Sequence, residues 1–238
     1  MKHILYAATV AVLLASGCTP TAPLVTDVGV IDSVPRRALA HSPVQQEATA
    51  ALLDGMREMN ASAGAVVIMD VNTGRVLSLV SVVGEGAADA DAPRFNRAAN
   101  NVHELGRAMA VFPIAQALDE GLITLETVID TPPSLPIGRF HIRDFRQRGD
   151  AMTSLDVFIY SSNVGTVQIA QKIGPELQQE FLGRLGFLSS NPIEERYPTN
   201  VAPLRPTRWD TLSAATVSYG HGLTVSPLQL AAGYASLV

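Results

Sequence analysis

Lysine is almost missing from this 238-residue chain: of its 17 cationic side chains, only Lys2 and Lys172 are lysines. Chemistry that uses a lysine amine as a base is confined to those two places. Cysteine occurs once, at Cys18, which excludes an intrachain disulfide. Aromatic residues make up only 5%, which argues against a stacking platform for single-stranded nucleic acid. Positive charge is in deficit, with a formal net charge of -5, and this argues against a nucleic-acid partner. What is present is 47% hydrophobic residues against 16% charged ones, a composition that builds a buried core.

The N-terminus reads Met1-Lys2-His3, then an apolar run from Ile4 to Ala15, then Ser16-Gly17-Cys18. The run falls short of the roughly 20 apolar residues that span a bilayer and suits the central region of a signal peptide. Leu14-Ala15-Ser16-Gly17-Cys18 resembles a bacterial lipobox, although Ala15 stands where leucine is more usual. Residues 1–18 are therefore read as a signal peptide with a lipidation site at Cys18, ordinary cleavage nearby or an uncleaved anchor being the alternatives. Prolines 20, 23, 35 and 43 lie among threonine, serine and valine, so residues 19–46 are read as an extended tether. The domain proper is expected over 47–238.

Leu52, Leu53, Met56 and Met59 recur at helical spacing. Gly64 to Asp70 is a continuous apolar run, the pattern of a strand buried on both faces. Val71-Asn72-Thr73-Gly74 supplies a turn and 75–83 a return strand. Residues 84–94 read as a loop. Further helices are expected near 108–120, 153–160, 164–173, 175–185 and 226–238. With one partner strand visible, the first strand should keep an open edge, which invites association.

Phe95-Asn96-Arg97-Ala98, followed by Val102-His103-Glu104-Leu105-Gly106, resembles the segment before the nucleophile in class B penicillin-binding proteins. Ser161-Ser162-Asn163 resembles their middle motif. Trp209-Asp210-Thr211-Leu212, Ser218 to Leu223 and Ser226 to Tyr234 resemble their later core. The resemblance runs from about 47 to 238 and leans toward the septal, cell-division transpeptidases. It implies an α+β fold: a partial penicillin-binding-protein or serine β-lactamase-like domain, with helices around an incomplete antiparallel sheet.

That family performs acyl transfer with Ser-x-x-Lys, a middle motif and Lys-Thr-Gly. One helical turn places the lysine beside the serine hydroxyl, ready to take its proton. The register here puts Arg107 at the serine and Ala110 at the lysine. A guanidinium that stays protonated is no nucleophile, and alanine is no base. Ile169 stands three residues before Lys172, so no Ser-x-x-Lys exists anywhere, and Lys-Thr-Gly is absent too. Ser161 and Asn163 remain as a vestigial middle motif. Their plainer role is structural, with Asn163 capping the helix that follows and Ser161 closing the one before. Arg107 is either solvated or a fork for a carboxylate, such as the end of a peptidoglycan stem peptide. Pro113, six residues past Arg107, should kink or restart the helix and displace the 107–110 turn.

Other chemistries find little support. His103-Glu104 lacks the second histidine of a zinc-protease helix. His141 and Asp144 have no further ligand at metal spacing, and His221 reads as a packing or turn residue. No cofactor and no metal is expected. The resemblance implies a non-catalytic, lipid-anchored module on the periplasmic side of the envelope, with a stem peptide or a division or envelope protein as partner. A second reading is a truncated or decayed fragment of a septal peptidoglycan D,D-transpeptidase.

Overall fold

A computed structural model describes residues 9–12, 24–25, 42–84, 97–188 and 204–237. The described residues fall into two units: one drawn from 1–102, 190–202 and 226–238, the other from 103–189 and 203–225. The loop expected at 84–94 and the lipidation site at Cys18 lie outside the described residues, apart from Gly84, which ends a strand.

The first unit is built on a four-stranded antiparallel sheet. Its strands are β1 (Thr9–Val12), β2 (Leu24–Val25), β3 (Ala63–Met69) and β4 (Val76–Gly84), in the order β1-β3-β4-β2. The turn between β3 and β4 is chemically specified. Asp70 Oδ1 accepts from the amides of Asn72 and Thr73, and Gly74 sits at φ 65°. Strand β3 is buried on both faces. Ala65, Val67 and Met69 pack in one cluster with Leu228, Ala231 and Ala232 of the helix Pro227–Ala235. Val66 packs in another with Ala48, Leu52 and Met56 of α1 (Pro43–Met59). The helix Pro227–Ala235 opens with a capping box between Ser226 and Gln229.

Three expectations are corrected here. Helix α1 begins at Pro43, inside the segment read as tether, because proline is preorganised for the first helical position. Its first turn is anchored by Gln45, which donates to the Leu79 carbonyl at 3.1 Å and accepts from the Leu79 amide at 3.0 Å. In the uncleaved chain the edge of β3 expected to be open is paired, residue for residue, with Thr9–Val12 against Ala65–Ile68, whereas the chain from residue 19 onward, for which the open edge is expected, does not contain that strand. That strand comes from the apolar run read as a leader. Thr-Val-Ala-Val serves equally as a leader core or an edge strand, and periodicity does not separate the two. Leu24–Val25, also in the supposed tether, pairs with Val83–Gly84.

The second unit is mainly helical. After β5 (His103–Glu104) a 3₁₀ turn covers Gly106–Ala110, and α2 (Val111–Asp119) follows. Pro113 lies in the first turn of α2, where its missing N–H costs little. The helix restarts as the proline required, and Arg107 stands on a 3₁₀ turn. Short paired strands come next: β6 (Val128–Asp130) with β9 (Ala151–Thr153), and β7 (Leu135–Ile137) with β8 (Phe140–Ile142). Helices α3 (Ser154–Tyr160), α4 (Asn163–Ile173), α5 (Pro175–Arg184) and α6 (Thr211–Ser218) complete the unit, with β10 (Thr224–Val225) paired to β5.

Its core joins Ile114, Ala117, Ile129, Met152, Val157 and Ile169. A second cluster sets Ile137 and Ile142 against Val164, Val167 and Ala215. Phe112 and Phe187 meet edge to face at 4.9 Å. Gln178 is buried between α5 and α6, donating to the Ala214 carbonyl and accepting from the Trp209 indole, both at 3.1 Å. Among the described residues no helix is long and apolar enough to cross a membrane.

Candidate functional site

The 3₁₀ turn that carries Arg107 is held by the backbone and by one carboxylate. Glu104 Oε1 accepts from the Gly222 amide at 2.7 Å, and its Oε2 meets His221 Nδ1 at 3.1 Å. The Gly222 amide, more than His221, holds the Glu104 carboxyl below the usual glutamate range. The Gly106 amide donates to the Gly220 carbonyl at 3.2 Å. Gly220 has φ 94°, and a Cβ there would stand 2.2 Å from the Gly106 carbonyl oxygen. His221 is thus a turn-fixing residue, with its ring edge to face on Tyr219 at 5.3 Å.

Helix α3 ends and α4 begins within three residues. Ser161 is the C-cap of α3, in the left-handed region at φ 50°. Ser162, extended at φ -66° and ψ 118°, is the N-cap of α4, and its Oγ accepts from the Gly165 amide at 2.9 Å. The capping role expected of Asn163 therefore belongs to the residue before it, because Asn163 already has its place in the first helical turn. Its Nδ2 donates instead to the Arg143 carbonyl at 3.2 Å. Asp144 completes the cap, Oδ2 accepting from Ser162 Oγ at 2.7 Å and Oδ1 from the Val164 amide at 3.0 Å. A carboxylate suits the positive end of a helix.

These pieces border one cleft of about 160 Å³. Its lining includes Arg107, Asp144, Phe145, Arg148, Tyr160 and Ser161, together with Arg146 and the buried Met152. The structure thus brings Arg107 and Ser161 to one place. Ala110 is buried and is not part of the lining, and Asn163 is turned to backbone. Arg146, Arg148 and Tyr160 were not foreseen. Arg148 stacks on the Tyr160 ring at 3.9 Å, a contact between residues 12 apart in sequence that the sequence itself does not announce. His141 is engaged separately, its Nδ1 3.1 Å from Ser134 Oγ. Among the described residues no three histidine, cysteine or acidic side chains gather as a metal site.

Comparison with known proteins places the chain in a family. A family model for the penicillin binding protein transpeptidase domain matches residues 64–238. A probable peptidoglycan D,D-transpeptidase FtsI from Caulobacter vibrioides is 33% identical over 190 residues, covering 76% of this chain and 32% of that protein. A probable peptidoglycan D,D-transpeptidase PenA from Neisseria gonorrhoeae is 36% identical over 187 residues, covering 74% and 31%. The chain thus spans about a third of the length of these relatives. Among solved structures, the transpeptidase domain of penicillin-binding protein 3 from Burkholderia pseudomallei superposes with a TM-score of 0.71 at 32% identity. It covers 82% of this chain and 56% of that one.

Proposed function

The chain belongs to the penicillin-binding protein transpeptidase family, and from that membership we propose that it is an envelope domain that forms no acyl-enzyme. The observation that carries this reading is Arg107. It stands on the turn where the family resemblance expects the attacking serine, and it opens onto the same cleft as Ser161. A guanidinium has no lone pair to offer a carbonyl at any physiological pH.

Among the described residues the cleft holds no substitute pair. Ser161 presents a hydroxyl, but a serine attacks only when a neighbouring base takes its proton. Among the described residues the only carboxylate lining the cleft is Asp144, and both its oxygens already accept from the N-terminus of α4. Ala110 contributes a buried methyl group where the family's lysine would stand. Loss of both members of such a pair removes several decades of rate.

We further propose that the protein sits on the periplasmic face of a membrane, tethered through a lipid on Cys18. The support is the short apolar run ending at Cys18, together with relatives named as peptidoglycan transpeptidases; cleavage before Cys18 removes Thr9–Val12, so the mature chain leaves open the edge of β3 that this strand covers. Both readings are open to direct test. Purified protein is exposed to a fluorescent penicillin beside a relative that carries Ser-x-x-Lys. The relative should label and this chain should not; a stoichiometric acyl adduct in the intact mass refutes catalytic silence. Metabolic labelling with palmitate should mark the native chain and spare Cys18→Ala, and equal labelling of both refutes the anchor.

A further inference from the structure

Residues 139–148 concentrate a charge that the rest of the chain opposes. They carry Arg139, Arg143, Arg146 and Arg148 against one acidic residue, Asp144, in a chain whose formal net charge is -5. All four arginines are exposed, and none forms an ion pair with a described residue. Asp144 gives them no relief, because both its oxygens accept from the start of α4. Like charges gathered in one short segment repel one another, and a surface of opposite charge removes that cost.

The same segment holds aromatic rings in the open. Phe145, beside Arg146 in sequence, stands 89% exposed. Arg139 lies over the ring of Phe140 at 5.0 Å, and Arg148 over that of Tyr160 at 3.9 Å. Tyr160 ends α3, and that helix continues the apolar surface. Its Leu155, Phe158 and Ile159 fall at i, i+3 and i+4 and are all exposed. Ser154 and Val157 turn the other side of the helix to the core. Helix α3 therefore shows solvent a face of the kind that usually meets an apolar neighbour.

We propose that residues 139–148 and the exposed face of α3 form a docking surface for a bilayer rich in anionic phospholipid, so that the folded domain lies on the membrane. Cations beside exposed rings and aliphatic chains, on a domain of opposite net charge, match such a boundary in both charge and polarity. The rings enter the headgroup region, while the arginine stems lie along the apolar boundary and keep their guanidinium groups with phosphate. A folded protein partner would need a recess to receive Phe145, whereas a fluid surface accepts a projecting ring as it stands. Soluble phosphate would satisfy the arginines and leave Phe145, Phe158 and Ile159 in water. The proposal rests on the envelope reading for the presence of such a surface, and not on the lipid at Cys18.

Vesicle co-sedimentation at low ionic strength tests it, on the full-length chain carrying Cys18→Ala and hence no lipid. The vesicles are phosphatidylcholine alone, or phosphatidylcholine and phosphatidylglycerol in equal parts. The apolar run Ile4–Ala15 is common to every variant, so differences between variants read the docking surface. Anionic vesicles should bind about tenfold more tightly than neutral ones, or better. Arg146→Gln with Arg148→Gln should weaken anionic binding about 25-fold, near fivefold for each arginine. The corresponding lysine pair keeps the charge and should bind nearly as well as the parent, as should Arg184→Gln on α5. Phe145→Trp is a local reporter: brominated phosphatidylglycerol should quench its emission, with the parent chain, whose only tryptophan is Trp209, as baseline. Circular dichroism and melting of each variant separate a lost surface from a lost fold. Equal binding to both vesicles, undiminished binding by the glutamine pair, or an unquenched Phe145→Trp overturns the proposal. Displacement by glycerol phosphate at the concentration of the lipid phosphate overturns it in favour of a free-phosphate site. Polyglutamate bound as tightly as the vesicles overturns it in favour of an acidic protein. Palmitate labelling of the native chain without vesicle docking refutes the docking alone, and docking without labelling refutes the lipid anchor alone.

Discussion

Replacing Gly220 by alanine probes the contact that holds the Arg107 turn. Two costs act there. At φ 94° an L-residue is outside its comfortable range, which costs about 1–2 kcal/mol. The added Cβ also stands 2.2 Å from the carbonyl oxygen of Gly106 and 2.3 Å from its nitrogen. Both obstacles are backbone, so no side chain can rotate away, and overpacking of this kind costs about 1–3 kcal/mol more. Gly121 provides the control: φ is 66° and a Cβ there meets nothing within 4 Å, so Gly121→Ala carries the first cost alone. At about 2–4 °C per kcal/mol for a chain of this size, Gly220→Ala should melt roughly 2–12 °C below Gly121→Ala. The assay is thermal unfolding by circular dichroism, with both variants in one buffer. Equal melting temperatures would refute the close approach and, with it, the claim that the turn is braced by the 220–222 segment.

Three other perturbations have clear directions. Gly165→Ala places a Cβ 2.4 Å from Val157 Cγ2 and should destabilise by about 1–3 kcal/mol in urea unfolding; adding Val157→Ala should recover part of that loss, and strict additivity would show that the two helices do not meet there. Gln178→Ala withdraws a partner from the Trp209 indole and the Ala214 carbonyl and should cost about 2–4 kcal/mol, visible as a shifted denaturant midpoint. Glu104 has its pKa lowered below 4.5 in the folded chain, chiefly by the Gly222 amide. A depressed carboxylate contributes stability above its unfolded pKa and loses it as pH falls through the folded value. Acid unfolding of the native chain should therefore steepen below about pH 4.5, while Glu104→Gln should flatten that limb and be less stable at neutral pH; superimposable acid curves would exclude the role.

Much of the architecture could be read from pattern. The run Gly64–Asp70 is apolar at every step because clusters press on both of its faces, and the Asn72-Thr73-Gly74 turn has its own hydrogen-bond chemistry. Pro113 correctly broke the helix after Arg107. Strands β6, β7 and β9 were missed as strands because three residues carry no usable alternation. Helix α6 escaped because Ala214, Ala215, Val217 and Ser218 are buried around most of its girth, leaving no stripe to detect. In the site, register alone located Arg107 and Ser161. Arg146, Arg148 and Tyr160 stayed invisible because the segment 143–150 has no period, and its side chains meet α3 only once the fold has formed.

The bracing of the Arg107 turn has a consequence for substitution. The turn is secured from behind, by Glu104 on the Gly222 amide, by Gly106 against Gly220 and by the helix restart at Val111. None of these contacts uses the side chain of residue 107. The outward position is therefore an interchangeable socket: the backbone decides where a side chain points, and folding places little demand on which one it is. Such a socket tolerates replacement of a reactive group by a cation at small mechanical cost. The same independence makes residue 107 a suitable place to graft a serine, a cysteine or a spectroscopic reporter without rebuilding the turn.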